Sequence, residues 1–169
     1  EVEVVPPAAT AIRIDLPAPL RPDTEMVRMA EDRLVAMGSR ARARFMVQAA
    51  EFRREQMVGP GGLVGMFSGD PGERLAVRLE GRLEILEDGG RRAAFVESQA
   101  RRQRTLPDGT SAADRRRAAE EIVRQAMDDL NVELEFQVRR NLREWVEPAG
   151  SAAVPAGAGG IEREDLPRR

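Results

Sequence analysis

The chain of 169 residues has no histidine, no cysteine and no tyrosine, and its 27 basic residues include no lysine. Together these absences remove the side chains that titrate near neutral pH, the thiolate nucleophile, the Schiff-base amine and the imidazole metal ligand. Only carboxylate, hydroxyl or guanidinium chemistry is left; no catalytic residue, metal ligand or cofactor is assigned, and a non-enzymatic role is expected. Aromatics make up 4% of the chain and the formal net charge is −2. Neither a base-stacking platform nor a basic phosphate track can be built from that, so nucleic acid is not expected as a partner. No apolar run reaches the length of a transmembrane helix. The missing cysteines do not report a redox compartment, because proteins on either side of a membrane do without disulfides.

What is present supports one domain. Hydrophobic residues form 41% of the chain, enough for one modest core. The strongest pattern is the segment from Ser111 to Val146. Ala119, Ile122, Val123, Ala126, Met127, Leu130, Leu134, Val138, Leu142 and Trp145 recur there at helical spacing. At about 1.5 Å per residue this helix approaches 50 Å, so its last turns either project or are covered by a partner. Before it come a short alternating strand over Thr10 to Leu16 and a helix from about Glu25 to Met37, capped by Asp23 or Thr24 and stopped at Gly38. A strand then starts at Ala41, with a bulge expected around Ala50 to Phe52. A second long strand, Arg74 to Glu87, turns through Asp88-Gly89-Gly90 into a third, Arg91 to Leu106. Ala94, Val96, Ser98 and Ala100 on that third strand are small inward residues that let a helix lie close.

The order is strand-helix-strand-strand-strand-helix. It predicts an α+β two-layer sandwich: a mainly antiparallel four-stranded sheet with two helices on one face. Residues 11–146 form the domain. Residues 1–10 and the Pro/Ala/Gly-rich 147–169 are expected as disordered tails.

Three groups of residues are candidates for contacts. On the outer sheet face, Arg42, Arg44, Arg78, Arg82 and Arg101 present guanidinium forks that suit phosphate or carboxylate, although interleaved acids make a self-paired, solvated face the simpler reading. In the Gly/Pro-rich connection, Leu63, Val64, Met66 and Phe67 have no periodic home and either tuck against the domain or meet a partner. On the long helix, Phe136, Leu142 and Trp145 are candidate partner contacts. The pairs Glu120-Glu121 and Asp128-Asp129 are not read as catalytic, since neighbours on a helix diverge by about 100° instead of converging.

The stretches ERLAVRLEGRLEILEDGGR, RQRTLPDG and MDDLNVELEFQVRRNL resemble exported alphaproteobacterial proteins. The element order is similar to that of small periplasmic lipoproteins: the lipopolysaccharide-assembly protein LptE and the auxiliary lipoproteins of ABC-type lipid transport. The resemblance implies a periplasmic envelope accessory protein, associated with the outer membrane, that binds a protein partner and an anionic lipid. Such lipoproteins begin at a lipidated cysteine, which this chain lacks. It opens on EVEVVPPAAT without methionine, and the expectation is a trimmed form whose signal peptide has been removed. The competing reading is a cytoplasmic scaffold that dimerises through its long C-terminal helix and is disrupted by Leu134→Arg or Leu142→Arg.

Overall fold

The computed structural model describes residues 1–36, 41–57 and 72–145. Within them lie β1 (Val2–Val5), β2 (Ile12–Ile14), α1 (Pro22–Arg33), β3 (Arg42–Gln56), β4 (Glu73–Leu86), β5 (Arg92–Leu106) and α2 (Ala112–Asn141). The α+β architecture is the expected one: β3, β4 and β5 form an antiparallel sheet with α1 and α2 against its inner face. The described sheet has five strands, because β1 and β2 both pair with β3, in parallel, along successive stretches of its length.

β1 corrects the expectation of a disordered tail over residues 1–10. Four residues followed by two prolines give little local signal, and the partner, Ala43 to Met46, lies some forty positions along the chain. The strand is set by non-local pairing, which local pattern cannot report. The apolar loop Leu63, Val64, Met66 and Phe67 and the tail 147–169 lie outside the described residues, whereas α1 ends at Arg33 with Leu34 already extended, which corrects the expected run to Met37 and stop at Gly38.

Alternation places β4 as read: Leu75, Val77, Leu79, Leu83 and Ile85 are buried inward, with Gly81 among them. Opposite, Val96, Ser98 and Ala100 of β5 are buried under α2. The turn between β4 and β5 carries Gly89 and Gly90 at φ 87° and 80°, values that glycine accepts without penalty. On β3 the register shifts between Val47 and Ala49, making Gln48 the bulged residue, a few positions earlier than the sequence suggests. Phe45 and Val47 therefore face inward before the shift, and Ala50 and Phe52 after it.

Both helices start by recognisable means. Pro22 occupies the opening position of α1, where its missing N–H is no loss, so the helix begins earlier than expected. Ser111 caps α2, its hydroxyl accepting from the Asp114 N–H at 3.1 Å. The buried stripe Ala118, Ala119, Ile122, Val123, Ala126, Leu130 and Leu134 of α2 closes the core over β5 and β4. One end of the core is tied by Arg54, which donates to both oxygens of Glu73 at 2.6 and 3.0 Å and to the Pro17 carbonyl at 3.0 Å. That pair is mostly shielded from solvent, unlike the ion pairs of the outer face.

Candidate functional site

The outer face of the sheet is not covered by either helix, and antiparallel register lays its side chains out in rows. At one end Arg44 donates to Glu3 at 2.9 Å, and Arg42 lies 3.1 Å from Glu1. In the middle Arg82 donates to Glu97 at 2.5 Å and lies 3.7 Å from Glu84. Arg92 reaches Glu84 at 3.0 Å, and the Phe95 ring is held between Arg82 and Arg92, each guanidinium 4.9 Å from its centre. Further along, Arg78 donates to Glu51 at 2.7 Å and to Glu80 at 3.0 Å. Arg101 lies 3.6 Å from the same Glu80. All five arginines named from the sequence thus have carboxylate partners, as the self-paired reading of the face holds.

The structure does not gather those five. It brings Arg78 and Arg101 side by side as direct cross-strand neighbours, leaves Arg82 in the middle of the face and puts Arg42 and Arg44 at its other end. Beside Arg78 and Arg101, a shallow depression of about 370 Å³ is lined by Arg53, Arg74, Ala76, Gln103 and the two glutamates Glu51 and Glu55. Its cause is one small residue. Ala76, flanked across the sheet by Arg53 and Gln103, lies between Arg74 and Arg78 on the same strand face.

Charge there is unbalanced. Glu51 is held by Arg78, and Glu55 accepts from Arg74 at 2.5 Å. Arg53 lines the depression without a carboxylate within 4.0 Å among the described residues, and the same is true of Arg13, the β2 neighbour of Glu51. Both are felt at Glu55. Its carboxyl is held below the usual value, first by the Arg74 hydrogen bond and then by the Arg74 charge, with smaller pulls from Arg53 and Arg13 and with burial opposing. An anion with two or more oxygens fits such a surface, because guanidinium forks bind phosphate and carboxylate through paired donors.

Arg53 and Arg13 were not picked out from the sequence. The bulge on β3 decides whether Arg53 or Arg54 faces outward. With the shift at Gln48, Arg53 falls in phase with Glu51 and Glu55, while Arg54 turns inward to Glu73.

The helix candidates separate as well. Leu142 is only 1% exposed and belongs to the chain's own core, which corrects its reading as a partner contact and makes Leu142→Arg and Leu134→Arg tests of folding instead of association. Phe136 and Trp145 remain exposed, together with Val132. Asp129 and Glu121 accept from Arg102 and Arg104 of β5, and Glu120 pairs with Arg116 and Arg124, so these acids serve as structural partners. Among the described residues no cluster of acids is arranged to hold a metal, and no helix is long and apolar enough to cross a membrane.

No family model and no curated protein matches the chain. Solved structures of similar layout include a minor lipoprotein from Acinetobacter baumannii, 12% identical with a TM-score of 0.43, covering 83% of this chain and 92% of that one. Another is a Xanthomonas campestris protein of the family DUF330, 16% identical with a TM-score of 0.41, covering 85% of each chain.

Proposed function

We propose that this chain is a non-enzymatic accessory protein of the cell envelope that holds an anionic headgroup, phosphate or carboxylate, in the Arg-rich depression of its outer sheet face. The observation that carries the reading is Arg53 beside Ala76: an arginine without a carboxylate partner among the described residues, at the rim of a hollow whose other cations exceed its acids. In the rest of the face arginine and glutamate largely satisfy one another, so an added anion gains little there. At Ala76 there is room for one and charge left to meet it. The periplasmic location and the protein partner rest on the likeness of the β4, β5 and α2 stretches to exported envelope proteins.

Co-sedimentation with vesicles tests the site. Binding is expected to vesicles containing phosphatidylglycerol and to lipopolysaccharide, to be absent with phosphatidylcholine alone, and to weaken as salt rises. The double change Arg13→Glu with Arg53→Glu reduces it tenfold or more, whereas Arg139→Glu, an exposed partner of Glu135 on α2, leaves it unchanged. Equal binding to neutral and anionic vesicles, or an undiminished double variant, refutes the proposal.

A further inference from the structure

β5 forms one edge of the sheet: β4 pairs with one side of it, and no described strand pairs with the other. It is 15 residues long and contains no proline. Free edges of that length are templates for another strand, and proteins commonly block them with proline, short length or inward-pointing charge. Two inward positions of β5 do carry charge, Arg102 and Arg104, but α2 neutralises both: Arg102 donates to Asp129 at 2.7 Å and Arg104 to Glu121 at 2.5 Å.

Those two bonds also show which flank of α2 overhangs the edge. Asp129, Val132 and Phe136 follow at spacings of three and four, so they share that flank. Val132 is 67% and Phe136 54% exposed, with Arg140 stacked 6.0 Å from the Phe136 ring. A strand edge with no partner among the described residues and an apolar helix flank therefore lie on the same side of the molecule.

We propose that a second copy of this chain occupies this side, its β5 pairing antiparallel with the first across a twofold axis at Gln99. Charge selects the register. Centred on Gln99, Arg101 faces Glu97 of the second copy twice over, Arg102 faces Val96, Arg104 faces Ala94 and Arg92 faces Leu106. Centring on Ser98 sets Arg104 against Arg92, and centring on Arg101 sets that residue against itself. Directly opposed residues share a sheet face, so this register also keeps both α2 helices on one side. Within the chain Arg101 is only loosely engaged, 3.6 Å from Glu80, and is free to turn to the new partner.

Helix geometry places the apolar flank near the same axis. α2 runs antiparallel to β5, with Arg102 bonded to Asp129 and Arg104 to Glu121. Counted from Asp129, Phe136 lies about 10 Å further along the helix, about three strand residues past Arg102, and counted from Glu121 about seven past Arg104, so it stands over the stretch from Glu97 to Gln99. Two Phe136 rings and two Val132 side chains then meet at the axis as aromatic and aliphatic anchors. Because α2 rests across both β5 and β4, its mate lies about two strand spacings away, roughly 10 Å, a normal distance between packed helices. The result is an isologous dimer with one continuous sheet.

Sedimentation equilibrium decides the matter. The chain is expected to sediment at about twice 18.7 kDa at micromolar concentration. Val132→Arg with Phe136→Arg, and separately Glu97→Arg, weaken association tenfold or more, with circular dichroism confirming an intact fold. Combining Glu97→Arg with Arg101→Glu restores association to within threefold of the parent chain. A parent that stays monomeric at about 100 µM overturns the proposal. So does a dimer that is indifferent to the helix pair, or one in which the charge swap fails to rescue Glu97→Arg.

Discussion

Gly81 shows how tightly single residues are specified in this core. A Cβ placed there would stand 2.8 Å from Cζ and 3.1 Å from Cε2 of the Phe45 ring, with the Met26 methyl at 3.6 Å. Phe45 and Met26 are both fully buried, so either can give way only by displacing its neighbours. Overpacking of this kind costs about 1–3 kcal/mol, while replacing a strand glycine by alanine returns about 0.5–1 kcal/mol of backbone entropy, so the clash wins. Gly81→Ala is therefore expected to destabilise the chain by about 1 kcal/mol or more in a urea titration. An unchanged midpoint would mean that the Phe45 ring swings aside at no cost.

At the scale of elements, α2 is decided by which of its apolar residues are inside. Leu142 lies just beyond the last helical turn yet is buried, whereas the larger Trp145 is 39% exposed. Leu142→Ala is expected to cost about 2–4 kcal/mol and Trp145→Ser about 1 kcal/mol or less, an order opposite to that of side-chain size, read from the same denaturation curves. The sequence shows both residues on one apolar stripe and cannot rank them, because what covers the end of a helix is supplied by distant parts of the chain. β4 was legible for the opposite reason. Leu75 to Ile85 alternate without interruption, and burial on one face is all that alternation encodes. β3 lies between these cases: its two faces and the need for an extra residue are visible, but the position of that residue is not. The candidate site was not visible for a different reason. Its cationic character could be read from Arg78 and Arg101, but its location depends on Ala76 meeting Arg53 across the sheet.

The whole molecule behaves electrostatically as an arginine–carboxylate lattice, and this fixes its response to pH. With no histidine, cysteine, tyrosine or lysine, no side chain changes charge in the neutral range. Glu55 and Glu120 are held below the ordinary 4.5, chiefly by hydrogen bonds from Arg74 and Arg116, and Asp129 below 3.8 by its bond from Arg102. A carboxyl with a depressed folded value binds fewer protons than in the unfolded chain. Its contribution is therefore fully present above the unfolded value and fades as pH falls through the folded one. Each contribution is small, because these groups are open to solvent, but all have the same sign. The melting temperature is accordingly expected to be flat from about pH 6 to 9 and to decline only below about 4.5, where the lattice loses its negative members. Calorimetry across that range is the check. A step in stability near pH 7 cannot arise from the side chains present, and would contradict the view that guanidinium and carboxylate groups alone set the charge balance of this fold.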